Sequence, residues 1–304
     1  MIDIKTWDAL RYTLNNLSDI DQTSIYCHYT TPAAVVSIFK KYIDGKQHGP
    51  ITECNMRASH IRFLNDSQEY LDGLNWIKKK LRGNRPPLDN LAEDIYSISF
   101  CGHEDLLSQW KWYGKNSGVA ISFDMKNIKY KYYDVEEPLP EFDCLTKPLS
   151  VKYDEQKKAE YYNRVKKLCR EKKLNEGEYS FFANLLLPFC KDETFCEEKE
   201  SRLVFYDVDG RLQGIKPISI HYVPSENKLK PTMNVEFKAL DEGKSIVKQF
   251  TIGPGQDQEL VYNAIIHVLG GEIWSPKDTK DANGYVYQEI NGITVRKSLI
   301  PFRG

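Results

Sequence analysis

The chain has 304 residues, 41% hydrophobic and 28% charged, and its 42 Lys and Arg against 43 Asp and Glu leave a formal charge of −1. That length buries a sizeable core in one large domain or two, and the near-zero charge gives no global sign of nucleic-acid or membrane binding, although a local patch can serve either. The cysteines (Cys27, Cys54, Cys101, Cys144, Cys169, Cys190 and Cys196) are odd in number and contain no CxxC pair, which argues against a disulfide framework or a zinc site and for a reducing compartment.

No basic-then-apolar leader pattern opens at Met1-Ile2-Asp3-Ile4-Lys5, and no apolar run approaches the ~18 residues of a membrane span. The expectation is a soluble, cytoplasmic protein without membrane contact.

Residues 5–20 predict a short helix, with Trp7, Leu10, Leu14 and Leu17 at helical spacing. Ser24 to Thr30 reads as a strand, and Thr31-Pro32 as the cap and first turn of a helix carrying Val35, Val36, Ile38 and Phe39. Met56 to Leu64 reads as a second strand, Asn65-Asp66-Ser67 as a turn or cap, and Gln68 to Leu81 as a helix with Tyr70, Leu71, Leu74 and Ile77 on one face. Gly83 to Pro87 breaks the chain.

Ile95 to Phe100 alternates like a strand, Leu106 to Tyr113 is a short helix with Trp110 and Tyr113 on one face, and Gly118 to Phe123 is another strand. A basic helical stretch runs from Tyr153 to Lys173, followed by the apolar segment Phe181 to Phe189 and the strand Arg202 to Tyr206. Further strands are expected at Ile218 to Val223, Val247 to Ile252 and Ile293 to Leu299, with a helix from Gln256 to Leu269. The alternation is αβαβ early and strand-rich late. It predicts an α+β class and a single interwoven domain over 1–304, with a helical insertion around 153–190.

The GxxxxGK[ST], GxGxxG, HExxH and GxSxG signatures are missing. Gly253-Pro254-Gly255 before a helix can hold an anion, but a tight turn accounts for it as well. His28 stands at a strand end, where a ligand can reach it; a satisfied core histidine is the plainer reading. Asp66 as a helix cap accounts for Asn65-Asp66 without any function.

The richest segment is Cys196-Glu197-Glu198-Lys199-Glu200-Ser201-Arg202. On an extended backbone Glu198 and Glu200 leave from the same face. Two such charges repel unless a cation, a proton or a ligand offsets them. The pair therefore suits chemistry on an electron-poor carbon, and a solvated charge cluster is the competing reading.

Taken in order, several blocks resemble a widespread bacterial family of unknown function. They are Cys27-His28-Tyr29-Thr30, Phe63-Leu64-Asn65-Asp66 with Glu69, Ser97-Ile98-Ser99-Phe100, Gln109-Trp110 to Tyr113, Gly118 to Phe123, Glu198-Lys199-Glu200-Ser201-Arg202, and Ser298 to Arg303. The resemblance spans about 25–304. In site design that family is similar to ADP-ribosyltransferases, which implies a mixed, strand-rich split-sheet core with flanking helices and NAD as a substrate.

The resemblance implies that His28 bonds the adenosine-side ribose, that the Tyr29 backbone holds the nicotinamide amide, and that Thr30 supports the neighbouring ribose. Asn65 joins the NAD-binding set, and Tyr70 or Tyr113 stacks on nicotinamide. Glu200 is the expected catalytic carboxylate and Glu198 the auxiliary one, with 185–197 as the target-recognition loop. A carboxylate near the anomeric carbon would stabilise the oxocarbenium-like ribose left when nicotinamide departs.

It further implies a toxin-like effector of bacterial defence or a toxin–antitoxin pair, with a neutralising antitoxin. The acceptor expected first is nucleic acid, RNA above all, through Lys166-Lys167 to Lys172-Lys173 and its interspersed aromatic residues. A protein side chain comes second. Two alternatives stand beside this. One is a metal-dependent nuclease built on Asp192 and Glu197-Glu198-Lys199. The other is a binding module in which Glu198 and Glu200 only form ion pairs with Arg202 or Lys199.

Overall fold

The computed structural model describes residues 25–45, 48–64, 67–81, 95–113, 117–131, 148–174, 179, 183, 186–206, 220–225, 228–272 and 278–301. The helix expected at 5–20, the turn at Asn65-Asp66 and the break at 83–87 lie outside them. The class is mixed α+β, with two strand-rich sheets and several helices.

In chain order the strands are β1 (Ile25–Thr30), β2 (Glu53–His60), β3 (Ile95–Phe100), β4 (Val119–Asp124), β5 (Ile128–Lys131), β6 (Leu149–Ser150), β7 (Ser201–Tyr206), β8 (Ile220–Ser225), β9 (Lys228–Ala239), β10 (Val247–Ile252), β11 (Thr279–Lys280), β12 (Val286–Ile290) and β13 (Ile293–Lys297). The helices are α1 (Pro32–Ile38), α2 (Lys40–Asp44), α3 (Ser67–Leu81), α4 (Leu107–Tyr113), α5 (Glu155–Glu171) and α6 (Gln258–Val268). The chain divides into two compact units, each assembled from separated stretches: 1–21, 57–99 and 132–235 in the first, and 22–56, 100–131 and 236–304 in the second.

The first unit packs α3 and α5 around one apolar cluster. Leu74 and Ile77 of α3 meet Tyr161, Tyr162, Val165 and Cys169 of α5, together with Leu186, Leu187, Phe189 and Val204. Buried Gly73 lets α3 approach the 187–190 turn, because a Cβ there would stand 3.2 Å from the Leu187 carbonyl oxygen. Leu71, expected on the buried face, is 44% exposed; its place in the packing is taken by Gly73, which periodicity of large apolar residues does not reveal.

The second unit carries the six-stranded sheet in the order β1-β4-β10-β13-β12-β11. The β1–β4 and β4–β10 pairs are antiparallel, and β10–β13 is parallel. Val119 to Phe123 is fully buried, so β4 is a core strand.

Several elements differ from expectation. The strand expected at Met56 to Leu64 starts at Glu53 and ends at His60, where the His60 ring accepts from the Arg62 N–H and starts a 3₁₀ turn. Five of the six residues of β3 are buried, against the expected alternation. Trp110 is 4% exposed and Tyr113 36%, so they do not share one buried face.

Thr31 caps α1 as the sequence predicts: its Oγ1 accepts from the Ala34 N–H at 3.3 Å, and Pro32 follows at the first helical position. Thr31→Ala is expected to cost about 0.5–1 kcal/mol in urea unfolding, since one orphan donor loses its partner at an exposed site. No loss would mean that water replaces the cap without penalty.

Candidate functional site

The acidic segment before β7 is built differently from an extended strand. Asp192 caps a 3₁₀ turn, Glu193–Glu198, by accepting from the Thr194 N–H (2.9 Å) and hydroxyl (2.7 Å). Lys199 then takes a left-handed conformation, φ 42° and ψ 48°. The expected common strand face of Glu198 and Glu200 is therefore absent: the turn and the left-handed residue separate them.

A cation brings them together instead. Lys191 Nζ donates to Glu198 Oε2 at 2.7 Å and to Glu200 Oε2 at 3.1 Å. It also lies 4.9 Å from the Phe195 ring centroid. From β7, Arg202 closes a fork on Glu200, with Nε on Oε1 at 2.7 Å and Nη2 on Oε2 at 2.9 Å, while Nη1 donates to the Pro188 carbonyl at 2.8 Å. All of this is nearly dry; the Glu200, Lys191 and Arg202 side chains are 7, 8 and 3% exposed, and Glu198 is 15% exposed.

Burial alone would raise the Glu200 carboxyl. The charges of Arg202 and Lys191, and hydrogen bonds from Arg202 and Ser99, outweigh it and hold the group well below the usual glutamate range. Glu200 is fixed through its backbone too, its N–H donating to the Tyr153 hydroxyl at 2.8 Å and its carbonyl accepting from the Val151 N–H at 2.9 Å. Burial and the adjacent Glu200 charge push the Tyr153 phenol up.

Glu200 forms part of the wall of a cavity of about 440 Å³, with Lys152, Tyr153, Lys157, Cys196 and Lys199. Cys196 is exposed. The first unit thus contains a cation-held carboxylate pair, of which Glu200 borders a cavity of mixed polar and apolar lining.

Tyr70, a candidate for stacking, has the Arg62 guanidinium 5.5 Å from its ring centroid, so a cation already occupies one face. The basic helix also departs from expectation. Tyr161 and Tyr162 are buried at 2 and 6%, because they lie on the core face of α5. Lys167 and Arg170 remain on the exposed face, without those two rings to stack a base.

His28, Tyr29, Thr30 and Tyr113 belong to the second unit, whereas Tyr70, Glu198 and Glu200 belong to the first; Asn65 lies outside the described residues. β1 is an edge strand of its sheet. Cys27 exchanges both of its backbone bonds with Cys101, N–H to O at 3.1 Å and the reverse at 2.7 Å. Strand alternation therefore turns the Tyr29 N–H and C=O to that same side, away from β4. His28 is half-buried, with its ring edge-on to Phe100 at 6.1 Å. The Tyr29 ring packs against Trp110 at 4.6 Å, and its hydroxyl donates to the His103 carbonyl (2.8 Å) and accepts from the Leu106 N–H (3.0 Å).

Sequence reasoning missed the residues that brace β1. Directly opposed residues share a face, so Cys27, Ser122 and Gln249 form one row across β1, β4 and β10, and Thr251 and Arg296 extend the next across β10 and β13. Glu104 closes over these rows, accepting from Ser122 at 3.2 Å, Gln249 at 2.9 Å and Arg296 at 2.9 Å. Asp105 accepts from the Trp110 indole N–H (2.7 Å), the Ser298 hydroxyl (2.6 Å), the Tyr285 hydroxyl (3.2 Å) and the Leu299 N–H (3.3 Å). The available signal was two adjacent carboxylates after a buried strand. Lys191 had a similar one: a charged residue directly after the buried run Leu186 to Cys190.

For the nuclease alternative, Asp192 is engaged as a helix cap at an exposed position. Among the described residues no group of three His, Cys, Asp or Glu converges to hold a metal ion. No helix of the described residues is long and apolar enough to cross a membrane.

A family model described as a protein of unknown function (DUF2971) matches residues 109–203. The match is narrower than the span of the ordered blocks. It includes the Gln109-Trp110 block, β4, α5 and the whole Lys191–Glu198–Glu200–Arg202 cluster. No curated protein and no solved structure matches the chain.

Proposed function

We propose that this chain is an NAD-consuming ADP-ribosyltransferase, acting as a toxin-like effector. The observation that carries the reading is the edge of β1, where the Tyr29 backbone pair faces away from β4 between His28 and Thr30. A neighbouring N–H and C=O on one side of a strand would match the carboxamide of nicotinamide, which offers a carbonyl acceptor and N–H donors. Taken by itself, the first unit offers the cation-held carboxylates Glu198 and Glu200, the kind of fixed negative charge that a developing oxocarbenium needs.

The two carboxylates divide the work. Both oxygens of Glu200 are bound by Arg202 and Lys191, so Glu200 positions. Glu198, expected from the resemblance as the auxiliary carboxylate, is the more exposed of the two and is here assigned to the ribose in place of Glu200, the one expected there. The acceptor is a nucleic acid or a protein, and the same experiment separates them.

Purified protein would be incubated with labelled NAD and total RNA, DNA or lysate, and nicotinamide release and label transfer followed. Glu198→Gln is expected to lower release about 100-fold with little change in melting temperature. Glu200→Gln is expected to lose both release and stability. The labelled fraction names the acceptor. Absence of release with every acceptor, together with no NAD-dependent melting shift, would sink the transferase reading. A binding module is the second reading, favoured by the Arg202–Glu200 fork, which also ties down the Pro188 carbonyl. Under it Glu200→Gln alters stability alone.

A further inference from the structure

We propose that Lys191 is the positioning residue of this site: one ammonium holds Glu198 and Glu200 side by side as a pair of ionised carboxylates. The inference deepens the transferase reading, and rests on it only for the effect on turnover.

The geometry is specific. Lys191 Nζ reaches one oxygen of each glutamate, at 2.7 and 3.1 Å, from a side chain only 8% exposed. Long cationic side chains are almost never this buried unless paired. Its backbone is pinned by one neighbour: the Lys191 N–H donates to the Lys152 carbonyl at 3.2 Å, and Cys190 bridges the same Lys152 in parallel register. The stem is therefore delivered at a fixed height, and the head rests on the Phe195 ring.

Lys191 from the loop before the 3₁₀ turn, Arg202 from β7 and Tyr153 from the segment after β6 act on Glu200 directly, and the cavity wall it shares adds Lys152, Asp154, Lys157, Glu160, Glu193, Cys196 and Lys199. Arg202 grips both oxygens of Glu200. Lys191 reaches one oxygen of each glutamate and so links the two carboxylates. Without it, two like charges would face each other in a nearly dry pocket, and one would recover its proton or swing away. A carboxylate that has taken up a proton cannot stabilise a cationic sugar.

The test uses the full chain with ¹³C-labelled glutamate side chains, titrated by NMR, with the Glu200 signal assigned from Glu200→Gln. In Lys191→Met the Glu200 titration is expected to move upward by about one pH unit or more, and Lys191→Arg should largely reverse the shift. The acid limb of nicotinamide release should move in the same direction.

A folded Lys191→Met protein with the wild-type titration would overturn the assignment. If that variant does not fold, Lys191→Met combined with Glu198→Gln removes both a cation and an anion and is expected to regain the fold; a double variant that stays unfolded counts equally against it. Titrations that move as expected, without nicotinamide release from any form including wild type, would remove the transferase reading and leave Lys191 in its place.

Discussion

Arg202→Met should lower the unfolding free energy by about 3–5 kcal/mol, because it leaves Glu200 as a buried charge with its fork removed. Arg202 is 3% exposed and Glu200 6%, so water cannot replace the lost donors. The same change releases the Pro188 carbonyl, which Arg202 holds at 2.8 Å. Adding Glu200→Leu should recover much of the loss, since a buried pair replaced as a whole is nearly neutral. Urea unfolding of the single and double variants measures it. A single variant as stable as wild type would mean that Lys191 alone suffices to hold Glu200.

The pair also sets an acid limit. The folded-state pKa of Glu200 lies below its ordinary value, so its contribution is fully present above 4.5 and is lost as pH falls towards about 2. Unfolding followed across that window should show a pH dependence in wild type that Glu200→Gln lacks. Equal slopes in the two proteins would show that other carboxylates govern acid unfolding.

Asp105→Ala should cost roughly 3 kcal/mol, because a buried indole N–H, two hydroxyls and a backbone N–H lose one shared acceptor. Trp110 is 4% exposed, so its N–H becomes an orphan rather than a hydrated donor. Asp105→Asn should fall between, since one oxygen survives while the new amide opposes other donors. The local signature is faster hydrogen exchange at Leu299, whose N–H Asp105 holds at 3.3 Å. Unchanged exchange there would show that Ser298 and its neighbours are secured by β13 alone.

Much of the fold follows from local chemistry. Val247–Ile252 and the Thr31-Pro32 start of α1 are where sequence reasoning puts them, because apolar runs and caps act over a few residues. The longest strand, β9, escaped it. Met233, Val235, Phe237 and Ala239 are buried there and alternate with Asn234, Glu236 and Lys238, a period of two that is plain once seen. Pro231 and the flanking lysines hid it, since proline argues against a strand interior. At the candidate site the acidic segment announced itself by charge. Its cation did not, because Lys191 meets Glu200 through a turn whose left-handed residue, Lys199, no spacing rule anticipates.

The interleaving of the two units bears on how the protein comes into being. Strand β4 is sandwiched between β1 and β10, and β10 leans on β13. A ribosome must therefore deliver residues 247–297 before the sheet holding His28 and Tyr29 can close, whereas β1 and β4 emerge long before. Such late, non-local pairing is slow, and it leaves β4 with a bare edge throughout translation. A chain built this way cannot complete that sheet on a nascent fragment. Whatever the sheet holding His28 and Tyr29 does, it can do only once the chain has been made almost to its end.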